Sequence, residues 1–255
     1  MLRRSLIALI LIALTGSSLS SAAPKRGPDV IVVSDTLVDT PEALRPSPGR
    51  PIHYMLLGNV ERALGVPFAG ERPPDLVVLN RELERTLASQ GYVRTQIGGP
   101  MPALAIVVTW GSANLLLDEI EGSGAMVFNR KEIAALVGAD QANDRILSAH
   151  EADAINSAAR QDRLFVVVAA FDAAALARRE KKLVWRTRIS VDSLRTTLTD
   201  SLPVMFASAA PWFGRKMEKP MIVTDEIRRR PEVHLGTPVI LPDEPGAAPS
   251  ASTEK

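Results

Sequence analysis

The chain has 255 residues, no cysteine and a formal net charge of +1, with 30 basic side chains against 29 acidic ones. The missing cysteine excludes disulfides, thiol catalysis, cysteine metal ligation and a lipidated N-terminal Cys. The balanced charge excludes an overall basic field of the kind that attracts nucleic acid.

Met1 to Ala22 is expected to be a secretory signal peptide. Arg3 and Arg4 form its basic start, Leu6–Leu14 is an uninterrupted apolar run, and Ser20-Ser21-Ala22 puts small residues before a cleavage site after Ala22. Cleavage after Ala23 would leave Pro24 obstructing the peptidase. An uncleaved anchor needs about 20 apolar residues, and the run is far shorter. Arg3-Arg4-Ser5-Leu6-Ile7 also fits a loose twin-arginine pattern, but the short basic region and strongly apolar core favour the general export route. Thirty basic residues less Arg3 and Arg4 leave 28 against 29 acidic ones, so the processed chain has a net charge of −1. Export implies the periplasm, with the cell surface or the medium as alternatives. Without disulfides the core alone must stabilise the protein, which a chain of about 230 residues can manage.

Residues 23–51 form an N-terminal extended segment, in which Val30-Ile31-Val32-Val33 suggests an edge strand and prolines at 41, 46, 48 and 51 prevent a regular element after it. A single α+β domain is expected over 52–241. Ile52–Leu57, closed by Gly58, reads as a strand, and 65–74 as a connection. Pro74-Asp75 opens the clearest helix: Leu76, Leu79, Leu83 and Leu87 make one apolar stripe, Arg81, Glu82, Glu84 and Arg85 are solvated, and Gly91 stops it. Ala103–Trp110 is a near-continuous apolar strand covered on both faces. Residues 111–163 read as a helical insertion with helices near 129–137 and 143–160.

Leu164–Phe171 and Leu183–Val191 are strands, joined by a long loop or a helical turn. In the second, Leu183, Trp185, Thr187, Ile189 and Val191 alternate with Arg186, Arg188 and Ser190, which predicts the arginines outward. Asp192 or Ser193 then caps a helix with Leu194, Leu198, Leu202, Met205 and Phe206 buried. Pro203 is expected to kink or restart it, with Asp200 or Ser201 as a second cap. Met221–Val223 and Val239–Leu241 are extended, Asp225–Arg230 is charged, and 242–255 is a disordered tail. The fold class is α+β: a small, mostly antiparallel sheet with helices on one face and a helical insertion.

No motif carries a complete chemistry. Ser123 sits in Glu121-Gly122-Ser123-Gly124-Ala125, where a nucleophile elbow needs glycines at 121 and 125. His150-Glu151 starts like a zinc-protease helix, but the second histidine would be at Ala154; His150 and Asp153 could hold a metal only with a third ligand from elsewhere. Asp118, Glu119 and Glu121 lack the spacing of a calcium loop. Gly98-Gly99-Pro100 is a turn, not a phosphate loop. No catalytic residue, cofactor or metal is therefore assigned.

Two surfaces are candidates for contact. Arg178, Arg179, Lys181 and Lys182 could meet anionic lipid or lipopolysaccharide, or simply keep a hairpin end charged and unpaired; Arg228-Arg229-Arg230 reads the same way. Trp212 and Phe213 follow Pro211 in a turn, and two adjacent aromatics there cannot easily both enter one core. One is expected against the helix stripe and the other partly exposed beside Arg215, Lys216 and Lys219, as at an interface. Alternatively, residues 220–241 fold back over both rings.

The helix over Leu79–Tyr92, the strand ending Trp110-Gly111, Phe165–Asp172 and then Lys182-Leu183-Val184-Trp185-Arg186 resemble small bacterial envelope proteins, many of them lipoproteins. Their strand pair reads Asp, basic loop, Leu-Val-Trp-Arg before a final helix. The resemblance covers about 79–110 and 164–210, implies an envelope location and an α+β fold, and supplies no catalytic residues. It departs in the missing lipidation cysteine and in residues 111–163, which have no counterpart.

The expected function is that of an exported, non-enzymatic envelope protein. Its partner would be another envelope protein or the membrane surface, with no nucleic acid and no membrane span after processing. The alternatives are a hydrolase with dispersed residues, using His53 or His150, and a periplasmic carrier with a small-ligand pocket between helices and sheet.

Overall fold

The computed structural model describes residues 29–37, 42–65, 72–114, 117–120, 124–127, 129–142, 147–194 and 196–224. The signal peptide, Ser123, His234, the 225–230 run, Val239–Leu241 and the 242–255 tail lie outside the described residues.

Seven strands make the main sheet: β1 (Asp29–Thr36), β2 (Ile52–Glu61), β3 (Tyr92–Arg94), β4 (Leu104–Ala113), and later Arg163–Asp172, Leu183–Asp192 and Met221–Thr224. Between them, Leu117–Ile120 (β5) and Gly124–Val127 (β6) form a separate antiparallel hairpin, so the three later strands are β7, β8 and β9. The order across the sheet is β3-β2-β4-β7-β8-β1-β9. β2 is parallel to β3 and to β4, and every other pair is antiparallel.

The helices are α1 (Leu76–Ser89), α2 (Arg130–Val137), α3 (Ala139–Ala142), α4 (Ala149–Ala158), α5 (Ala173–Ala177) and α6 (Leu198–Ala209). They cover both faces of the sheet, not one. Val30 and Val32 join the core under α1 and α6, while their neighbours Ile31 and Val33 pack with Val137, Ile155 and Ala158 of α2 and α4. A strand whose residues are apolar in succession demands a cover on each face. For the same reason β1 is no edge strand: it lies between β8 and β9, and Val30–Val33 are at most 1% exposed. The sheet thus starts inside the segment read as an N-terminal extension.

Asp75 caps α1 by accepting from the Val77 amide at 2.8 Å, and Leu79, Leu83 and Leu87 are fully buried. Two residues of that helix depart from expectation. Leu76 is 43% exposed, and Glu82 is buried with Arg85 at 3.0 Å. β2 runs through Gly58 to Glu61, with a register shift between Leu56 and Gly58. In the insertion, α4 starts at Ala149, where Ser148 and Glu151 form a reciprocal cap; residues 143–146 of the helix read over 143–160 lie outside the described residues.

The strand pair β7–β8 is joined by α5, capped by Asp172 accepting from Ala175 at 3.0 Å. Alternation in β8 holds from Trp185 onward, but its two arginines are not both outward: Arg186 is partly exposed, whereas Arg188 is buried. Arg188 is 4% exposed, because α2 covers its face, and it binds Asp35 at 2.5 Å. A register shift at Ala170/Phe171 sets Leu183 opposite Phe171, which puts it on the arginine side instead of with Trp185. The last helix begins at Leu198 under a Thr197 cap; Asp192 instead accepts from Leu194, which is 78% exposed. Pro203 is exposed and the helix runs past it without a restart.

Candidate functional site

The sequence places an aromatic in each of three elements that meet at one end of the sheet. Trp185 at the start of β8 packs against Tyr92 of β3, with ring centroids 5.6 Å apart, and against Phe213 at 5.7 Å. Phe206 of α6 continues the cluster to Phe213 at 6.5 Å. This is the end where β1 stops and β2, β3 and β8 begin, and Leu37 is fastened to it by donating to the Val184 carbonyl at 3.1 Å.

A cleft of about 500 Å³ opens over Tyr92 and Phe213. Arg45, Arg215 and Lys216 line it together with Thr36 and Gln90, and among the described residues no acidic side chain lines it. Arg45 is held by its loop. The Arg50 guanidinium donates to the carbonyls of Glu42 at 3.0 Å and Arg45 at 3.4 Å, and Pro46 packs on Gly91 so closely that a Cβ there would meet it at 2.9 Å. Gly214 carries φ +71, and a Cβ on it would lie 1.9 Å from the Tyr92 hydroxyl. Only glycine lets the chain turn against that ring and present Arg215 and Lys216 to the cleft. Burial pushes the Tyr92 phenol up to about 12, against a smaller opposite pull from Arg215 and Arg45.

Phe213 is 2% exposed and forms part of the floor, whereas Trp212 is half-buried and packs against the core; residues 225–241, which the alternative reading folds over both rings, lie outside the described residues. The Trp212 carbonyl accepts from Ser34 at 2.9 Å, which anchors the turn to β1. Arg215 and Lys216 are exposed at the cleft. Lys219 is elsewhere: it binds Glu151 of α4 at 2.5 Å. Arg178, Arg179, Lys181 and Lys182 are all exposed in the turn from α5 into β8, at the same end of the sheet as the cleft. Arg178 there is paired with Glu180 at 3.2 Å. The structure therefore brings both predicted basic groups, apart from Lys219, to one end. Arg45, Gln90 and Tyr92 carried no signal in the sequence, since a loop arginine and a helix C-terminus become neighbours only through folding.

The other candidates stay apart. His53 is in β2 and His150 is exposed on α4, which packs on β1. Four strand spacings, roughly 19 Å, separate those two strands. Asp153 is exposed beside His150, and Asp118 and Glu119 lie in β5. Among the described residues, no group of three His, Asp or Glu side chains is placed to hold a metal, and no helix is long and apolar enough to cross a membrane.

No protein-family model matches the chain, and no curated protein sequence matches it. Among solved structures it is similar to a PDZ domain protein from Parabacteroides distasonis, at 10% identity and a TM-score of 0.37, over 78% of this chain and 40% of that one. It is also similar to the PelC dodecamer from Paraburkholderia phytofirmans, at 11% identity and a TM-score of 0.33, over 71% of this chain and 96% of that one. The chain spans well under half the length of the PDZ domain protein. Likeness at these scores transfers neither fold nor activity.

Proposed function

We propose that the protein is an exported, non-enzymatic binding module whose cationic sheet end holds an anionic group of another envelope component. The observation that carries this reading is the cleft in which Arg45, Arg215 and Lys216 converge over an aromatic floor, with no carboxylate among the described lining residues. Guanidinium and ammonium groups recognise carboxylate or phosphate through charge-assisted hydrogen bonds. A low-polarity floor strengthens that attraction. The adjacent Arg178–Lys182 turn adds longer-range attraction and raises the encounter rate. Export rests on the three-zone N-terminal segment.

The test is a heteronuclear NMR titration with inorganic phosphate and, separately, with a glutamate-rich peptide. Shifts are expected to cluster on the amides of Thr36, Gln90, Gly214, Arg215 and Lys216, and to vanish in an Arg215→Glu/Lys216→Glu variant. Scattered shifts, or shifts unchanged in the variant, reject the site. Export is tested by intact mass of protein from the envelope fraction, which should begin at Ala23; a species retaining Met1 rejects the signal-peptide reading.

A further inference from the structure

On the opposite face of the sheet, the geometry points to a second, separate site: a trough for an amphipathic anion, with an unbranched acyl chain along β7 and its anionic head at Arg186 and Arg188. The trough encloses about 360 Å³. Its floor is the alternate-residue row Val167, Ala169 and Phe171 of β7, closed at the far end by the buried Phe165. Those residues face away from the core under α1 and α6, which takes Leu164, Val166, Val168 and Ala170. Phe165 is itself covered by α2, so the half-exposed floor runs four residue steps from Val167 to Phe171, roughly 13 Å. Ala169 in the middle of the row gives it depth. Ala135 and Leu136 of α2 form one wall, and Leu183 closes the Phe171 end, where the register shift of β8 has turned it.

The charged groups are as one-sided as the walls are apolar. Among the described residues lining the trough are three arginines, Arg62, Arg186 and Arg188, and one acid, Glu132. Arg186 and Arg188 share the one carboxylate of Asp35, at 3.6 and 2.5 Å. Arg188 is 4% exposed, and the Arg186 Nε is buried without a hydrogen-bond partner. Buried guanidinium N–H groups are costly to leave unsatisfied. A carboxylate or phosphate head meets that need, and the chain covers apolar floor that α2 leaves half-exposed. Apolar lining with a few convergent polar groups is the usual form of a small-ligand pocket. The first cleft has no such apolar length, so the two sites call for different ligands.

The experiment uses the processed chain and dansyl-labelled undecanoic acid, whose fluorescence rises on entering an apolar site. Saturable binding is expected, with decanoate displacing the probe and uncharged decanol displacing it roughly tenfold less well. Arg186→Gln should weaken decanoate by a similar factor, and Ala169→Phe, which fills the floor, should abolish binding with an unchanged circular dichroism spectrum. Should Ala169→Phe fail to fold, Ala135→Phe obstructs the trough from the helix side. Co-sedimentation with phosphatidylglycerol vesicles, lost in the floor-filling variant, assigns the chain to a membrane lipid; no co-sedimentation assigns it to a free acid. No saturable binding, or binding indifferent to both Arg186→Gln and the filling variants, overturns the site. Decanol matching decanoate overturns the anionic head.

Discussion

Phe213 packs on Trp185 at a ring-centroid distance of 5.7 Å, and the contact joins the turn after α6 to the first residues of β8. It couples the floor of the cationic cleft to the hydrophobic core, because Trp185 is only 1% exposed. Trp185→Ala is therefore expected to cost about 3–5 kcal/mol, as for other buried aromatics. Trp212→Ala, in a half-buried ring one residue away, should cost clearly less. Urea denaturation midpoints of the two variants check this, and equal midpoints would contradict the packing.

Asp35 should matter more than its half-exposed position suggests. Asp35→Asn removes the carboxylate that pairs with the buried Arg188 guanidinium, a change of about 2–4 kcal/mol. Arg186→Gln, which removes a more exposed member of the same group, is expected to cost under about 1 kcal/mol. Chemical denaturation of the pair reads the difference, and a milder effect for Asp35→Asn than for Arg186→Gln would show that the carboxylate serves neither arginine.

Gly214 and Tyr92 should be coupled. Gly214→Ala meets both a left-handed φ and the Tyr92 hydroxyl 1.9 Å from the new Cβ, so it is expected to destabilise by more than about 1 kcal/mol. Tyr92→Phe removes the hydroxyl and should recover part of that loss in the double variant, while the backbone part persists. A double-mutant cycle with no interaction energy would place the two groups apart.

Alkaline pH should loosen the fold through two phenols. Burial raises both Tyr54 and Tyr92 from 10.0 to about 12. The folded state thus favours the protonated phenol, and the unfolded chain releases its proton first. That contribution is complete below pH 10 and is lost between pH 10 and about 12. Stability measured across that window should fall less steeply in Tyr54→Phe and Tyr92→Phe. Ultraviolet titration of the phenolate band should show both groups ionising late, and an ordinary midpoint for either would contradict its burial.

Much of the local structure was legible in the sequence because it depends on local chemistry. The leucine stripe with its Asp75 cap specified α1, and the alternation of Trp185, Thr187, Ile189 and Val191 specified one face of β8. The α+β class followed from the order of such elements. What the other side of each strand meets is a different question, and only the tertiary structure decided it. Val30–Val33 has the same composition in an edge strand or an interior one; pairing with both β8 and β9 made it interior. Arg188 belongs to a polar alternation, yet α2 packs over that face and buries it with Asp35. A bulge one residue wide moved Leu183 across the sheet, and no residue type announces it. The cleft has the same origin. Arg215 and Lys216 stood out beside two aromatics, but Arg45, Gln90 and Tyr92 lie far from them in the chain and become their neighbours only where β1, α1 and α6 end and β3 begins. Propensity and periodicity act over a few residues, whereas a binding site is made by contacts between residues that are distant in sequence.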